Sequence, residues 1–258
     1  MERVECARQN RQKYLGSGSA ALEATDPELV AMQDRLLYGE IVSHGTLTDS
    51  QRLLITLVVL AAGQTLEALD EQTEAALKIG VRPEEIREAL YQVAPYAGFP
   101  KAAAALKIVN AVLVRHGVTL PLPDMGTVSE ESRFRDGLAV QKTIFGDGID
   151  AMHASAAPGQ RDIMVNYLSS FCFGDIYTRR GLDLKTRELL TFAIIATLGG
   201  CEPQLKAHAQ GNATMGNSKQ NLVDAIAQML PYIGFPRSLN ALACVNAVLP
   251  QDEAETKA

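Results

Sequence analysis

No two cysteines in the 258-residue chain stand close together. Cys6, Cys172, Cys201 and Cys244 are widely spaced and form no C-x-x-C pair, so neither a zinc site nor a disulfide framework is indicated. They read as reduced thiols, three of them in apolar segments where burial is the default. Basic runs are also missing. With a net charge of -6, the chain lacks the concentrated Lys/Arg face that a nucleic acid needs, although one local basic group would still suffice for a small anion. The most apolar stretch, Leu53 to Ala62, falls well short of the roughly 20 residues that span a bilayer, and Met1-Glu2-Arg3-Val4-Glu5-Cys6 contains no signal-type apolar region. A cytoplasmic protein with neither a membrane nor a nucleic-acid partner is the expectation. His44, His116 and His153 have no acidic or cysteine partner at ligand spacing, so no metal is expected. No stretch alternates with period two for long enough to make a strand, which leaves an all-α chain.

What is present is helical punctuation. Asp26-Pro27 provides an N-cap and a proline at the first helical position, and the spacing of Leu29, Met32, Leu36, Leu37 and Ile41 predicts an amphipathic helix ending near His44-Gly45. Before it, Gly16-Ser17-Gly18-Ser19 reads as a flexible joint. Thr48 to Gln51 forms a capping box that leads into Leu53 to Ala62, apolar on every face and therefore a core helix. Leu66 to Ile79 is a third helix, stopped by Gly80. Pro83 opens a fourth, and Lys101 to His116 makes a fifth after the turn Pro95-Tyr96-Ala97-Gly98-Phe99-Pro100.

That turn returns as Pro231-Tyr232-Ile233-Gly234-Phe235-Pro236, at an offset of 136. Val109-Asn110-Ala111-Val112-Leu113 meets Val245-Asn246-Ala247-Val248-Leu249 at the same offset, while Gly39-Glu40-Ile41 meets Gly174-Asp175-Ile176 at 135. Tyr14-Leu15-Gly16 resembles Ile144-Phe145-Gly146, so each copy carries its own N-terminal helix. The chain divides into a first repeat over 1–119, a proline-rich linker over 120–131 and a second repeat over 132–258.

Gly174-Asp175-Ile176-Tyr177, Gly181 to Leu190, Leu198 to His208 and Tyr232-Ile233-Gly234-Phe235-Pro236 together resemble the carboxymuconolactone decarboxylase family in its tandem form. The resemblance implies two helical repeats similar to alkyl hydroperoxidase D, packed as a pseudo-dimer within one chain. It also implies a homo-oligomer, a trimer or larger, acting on a small molecule. The implied activity is that of a cofactor-free lyase decarboxylating a small carboxylated lactone or related compound. A thiol-dependent peroxidase-like protein and a non-catalytic oligomeric binding protein are the alternatives, because this scaffold hosts more than one chemistry.

The resemblance places the acting histidine at His208, as general acid or enolate stabiliser, and offers Glu188 as its relay partner. Gln204, one turn before His208, is positioned to orient the imidazole. Cys201 is two turns away, roughly 10 Å along a helix, too far for a direct thiolate–imidazole pair. It is either an activated thiol at a helix N-terminus or a small packing residue, and the position three on holds Gln204 rather than a resolving cysteine. Glu202 reads as ordinary first-turn dipole complementarity. Arg187 either binds a substrate carboxylate or pairs with Glu188 or Asp183, and Tyr232 is a candidate for the pocket wall. At the 136 offset His208 faces Gln72, Cys201 faces Thr65 and Glu188 faces Arg52, so the first repeat reads as structural, lending at most a wall to the second.

Overall fold

The computed structural model describes residues 2–16 and 22–250. Ser17, Gly18 and Ser19 of the expected joint lie outside the described residues. Every regular element among the described residues is helical. In the first repeat these are α1 (Arg3–Tyr14), α2 (Pro27–Asp34) continuing as a π-helix (Arg35–Ile41), α3 (Asp49–Gly63), a 3-10 turn (Leu66–Ala68) leading into α4 (Leu69–Lys78), α5 (Pro83–Ala97) and α6 (Phe99–Arg115). The second runs through α7 (Arg133–Phe145), α8 (Gly148–Ser155), a long π-helix (Asp162–Tyr177), α9 (Leu184–Leu198), α10 (Glu202–Thr214) and α11 (Lys219–Val248), the last kinked at Gly234. The N-terminal helix expected for each copy is there, as α1 and α7.

The centre of the molecule is the pair α3 and α9, which pack on each other. Thr48 starts α3 with the capping box read from sequence, and Asp183 starts α9 by accepting the Thr186 amide. Both helices are buried on all sides from their arginines onward, Arg52 to Ala62 and Arg187 to Thr197, which is why their sequences carry no polar face.

Each central helix is tied to a helix of the other repeat by the same polar triangle. Arg187 donates to the Gln92 carbonyl oxygen at 2.8 Å, and the Gln92 amide donates to the Thr191 hydroxyl at 3.0 Å. Arg52 donates to Gln228 at 3.1 Å, and Gln228 donates to Thr56 at 3.2 Å. These buried side chains leave few unpaired polar groups and fix one crossed register between α5 and α9 and between α11 and α3. The main apolar core runs through both repeats, with a smaller cluster of Ile144, Cys172, Phe173 and Tyr177 beside it.

The triangles also correct the internal alignment. Arg187 is the counterpart of Arg52 and Thr191 of Thr56, an offset of 135, as it is for the caps Asp183 and Thr48; from the cap pair Ser218 and Arg82 onward it is 136. The extra residue sits in the turn after the central helix. The first repeat turns through one left-handed residue, Gln64 (φ 59°), and the second through two glycines, Gly199 (φ 70°) and Gly200 (φ 68°). Glu188 therefore faces Leu53 in the first repeat, not Arg52.

Candidate active site

His208 lies on the inner face of α10 and is 8% exposed. Its Nδ1 is 2.9 Å from Oε2 of Glu188, which is fully buried on α9. The insertion at Gly199-Gly200 lies outside α9, so it re-aims α10 without rotating Glu188 around its helix. Asn212, one turn after His208, donates to the backbone carbonyls of both Glu188 and His208 and locks the two helices at this point. Gly211 makes the close approach possible: a Cβ there would lie 2.6 Å from Glu188 Oε2. With Glu188 ionised, Nδ1 donates to it and Nε2 is the free ring nitrogen.

The other oxygen of Glu188 heads a buried chain. The Tyr177 hydroxyl donates to Oε1 at 2.7 Å and lies 2.7 Å from Thr191 and 3.0 Å from the Tyr96 hydroxyl, while the Cys172 thiol donates to Tyr96 at 3.6 Å. Burial, with the nearby Glu188 charge adding to it, holds both phenols well above the ordinary tyrosine range, so they remain protonated donors. Burial likewise pushes the Cys172 thiol up to about 12.

A cavity of about 630 Å³ opens against His208. Its walls are mostly apolar: Phe145, Ile149, Leu168, Phe171, Ile195 and Leu198 contribute, and the rings of Phe145 and Tyr96 meet the imidazole edge-on at centroid distances of 5.2 and 5.6 Å. Cys201, the N-cap of α10, Gln204 and Cys172 also line it. Among the described residues His208 is the single basic one on its wall.

Of the residues singled out from sequence, His208, Cys201 and Gln204 share this cavity, and Glu188 stands directly behind His208. Three expectations need correction. The imidazole is held by Glu188 rather than by Gln204, because the exposed Gln204 side chain sits at the cavity wall. Arg187 does not line this cavity: it is fully buried, donates to Glu88 of α5 at 3.2 Å, to the Gln92 side chain and to the Arg179 carbonyl, and its side chain pairs with neither Glu188 nor Asp183. Burial lowers its affinity for its proton, while Arg179 and Arg87 complete the cage around Glu88. Tyr232 lines a different cavity, formed with Leu29, Met32, Leu36 and Thr65 of the first repeat. Its counterpart Tyr96 takes the place at His208, since the crossed packing brings α5 to α9. His116, which has no acidic partner at ligand spacing in the sequence, meets Glu74, 42 residues away, through an exposed contact at the end of α6.

Tyr96, Tyr177, Thr191 and Phe145 were not singled out. Tyr96 and Tyr177 stand in motifs visible in the sequence, but their meeting depends on the π-helix. Hydrogen bonding from i to i+5 stacks Cys172 over Tyr177 on one face, whereas α-helical winding at about 100° per residue separates them.

A family model described as "Carboxymuconolactone decarboxylase family" matches residues 27–111 and 164–247, one segment in each repeat. A 4-carboxymuconolactone decarboxylase from Acinetobacter baylyi is 28% identical over 116 residues, covering 45% of this chain and 85% of that protein. An uncharacterised 15.0 kDa protein of Paracoccus denitrificans is 34% identical over 84 residues, 32% of this chain and 63% of its own length. A crystal structure from Burkholderia xenovorans LB400, described as a gamma-carboxymuconolactone decarboxylase subunit, aligns over 95% of this chain and 96% of its own with a TM-score of 0.55 and 19% identity, a likeness of fold.

Proposed function

Because the chain belongs to the carboxymuconolactone decarboxylase family, we propose that it is a cofactor-free carboxy-lyase in which His208 acts on a lactone or related carbonyl compound bearing a carboxylate. The observation that carries this reading is the Glu188–His208 pair at 2.9 Å on the wall of an otherwise apolar cavity. As the carbon–carbon bond to the carboxylate breaks, carbon dioxide leaves and the electron pair moves onto the conjugated carbonyl. Nε2–H of protonated His208 hydrogen-bonds that oxygen where the charge develops, then delivers its proton to carbon, and solvent restores the proton afterwards. Glu188 holds the ring by Nδ1 and balances the imidazolium. The apolar walls strip water from the carboxylate, whose charge disperses during the reaction.

The thiol alternative places chemistry on Cys201. Cys172 lines the same cavity, yet its thiol, pushed up to about 12, is a weak nucleophile and a slow leaving group at neutral pH.

The test is carbon dioxide release and product formation from carboxylated lactones by the wild type and by His208→Ala. Loss of about 10²–10⁴-fold in rate, with helicity and assembly retained, is expected for a general acid. An unchanged rate in the folded variant removes His208 from the mechanism.

A further inference from the structure

The cavity beside His208 makes no provision for a second negative charge. Among the described residues no lysine or arginine lines it. The nearby guanidinium groups are engaged elsewhere: Arg187 and Arg179 with Glu88 at 3.2 and 2.9 Å, Arg87 with Glu88 and the carbonyl oxygens of Leu122 and Pro123, and Arg133 with Asp175. Lys142 is bound to Asp150 at 2.7 Å, and Arg237 packs over Gly199 without joining the wall. The uncommitted polar groups are few: Nε2 of His208, the side chain of Gln204, the amide nitrogen of Gln141, the Cys201 thiol and the hydroxyl of Tyr167 near the mouth. A carboxylate buried among Phe, Leu and Ile with no cation is strongly disfavoured: the one that departs as carbon dioxide lies beside the carbonyl that His208 serves, and a second has no such neighbour.

Volume points the same way. About 630 Å³ falls in the range of pockets that enclose a drug-sized molecule, and aromatic rings from both repeats and from the π-helix supply flat apolar surface around it.

We propose that the substrate is a monoanion with an extended apolar body, a fused-ring or alkyl- or aryl-substituted lactone or enol acid, rather than a compact lactone with two carboxylates. This rests on the cavity being the substrate site of the carboxy-lyase proposed above. His208 meets the one charged or carbonyl end, and the apolar walls bind the remainder.

Binding can be read apart from turnover by titration calorimetry of the full-length protein with three probes: 2-naphthoate, 2,6-naphthalenedicarboxylate and a monocyclic lactone dicarboxylate. The naphthoate is expected to bind at least about tenfold more tightly than either dianion, a difference of about 1.4 kcal/mol. Met152→Lys, which puts a cation at the half-exposed α8 wall, is expected to narrow or reverse that preference. Equal or tighter binding of either dianion to the wild-type protein overturns the proposal. So does naphthoate affinity that Met152→Lys, Leu168→Gln and Phe171→Ser all leave unmoved, because the probe then binds elsewhere. Failure of the lyase reading shows differently, as turnover insensitive to His208→Ala whatever the order of the three affinities.

Discussion

Tyr96 of the first repeat and His208 of the second meet edge to face, with ring centroids 5.6 Å apart. The site is thus composite within one chain. At the glutamate and histidine positions the first repeat holds Leu53 and Gln72, but its turn carries Tyr96, which lines the other repeat's cavity. Tyr232, its counterpart, serves a cavity where no histidine stands.

The two tyrosines are therefore expected to behave differently. Tyr96→Phe keeps the ring against His208 and removes the hydroxyl between Cys172 and Tyr177, for a loss of about 1 kcal/mol in stability and a modest fall in kcat. Tyr96→Ala also opens the cavity and should raise KM sharply. Tyr232→Phe should leave kcat/KM at the wild-type value. Steady-state kinetics beside urea unfolding separates the three, and an equal effect of both Phe variants on kcat/KM would contradict the crossed arrangement.

Glu188 can be tested without touching it. In Gly211→Ala the new methyl would lie 2.6 Å from Oε2 of Glu188, with Ile144 Cγ2 at 2.9 Å closing the other side. Alanine favours the helix by up to about 1 kcal/mol, so α10 should persist while the carboxylate is pushed from Nδ1. Losing a charge-assisted hydrogen bond of about 1.5–3 kcal/mol corresponds to roughly a 10- to 150-fold fall in kcat. Glu188→Gln should fall in the same range. Circular dichroism checks the helix, and full activity in Gly211→Ala would show that the pairing is dispensable.

How much of this was legible in the sequence follows from what each feature depends on. The Thr48 capping box, Pro83 at the start of α5 and Gly80 (φ 91°) after α4 are local, and they fell where the residues put them. The repeat was visible in Pro-Tyr-x-Gly-Phe-Pro, and His208 and Glu188 through the family resemblance. Their partners were not, because contacts such as Gln92 to Arg187 join residues 95 apart across two repeats whose crossing no single-chain periodicity reveals. The one-residue slip in the central helix had the same origin: Leu53-Leu54 matches Leu189-Leu190 at one offset and Leu54-Ile55 matches it nearly as well at the other. The buried polar triangles and the caps Thr48 and Asp183 choose between them.

Arg187 illustrates a residue whose chemistry suggested binding and whose surroundings assign it to stability. Fully buried beside Glu88, it is one of three guanidinium groups on that carboxylate. Removing one partner from a buried ionic cluster costs about 3–5 kcal/mol. Arg187→Ala is expected to lower the urea midpoint accordingly, with KM unchanged for the fraction that remains folded. A raised KM with an unchanged midpoint would return Arg187 to the substrate.

The thiols offer the last test, because the two proposed chemistries treat them oppositely. Cys172 and Cys244 are buried and Cys6 and Cys201 partly exposed. Burial raises the Cys172 thiol to about 12 and also raises Cys244. Since the thiolate is the reactive form, iodoacetamide at pH 8 should modify Cys6 and Cys201 first and reach Cys172 and Cys244 only when denaturant is added, as peptide mass mapping would show. Modification at Cys201, on the cavity wall, should block substrate access, whereas Cys201→Ser should keep decarboxylation within a few-fold of wild type, since the proton comes from His208. Peroxide consumption with a thiol donor that disappears in Cys201→Ser, together with decarboxylation that disappears in the same variant, would instead move the chemistry from the imidazole to the sulfur.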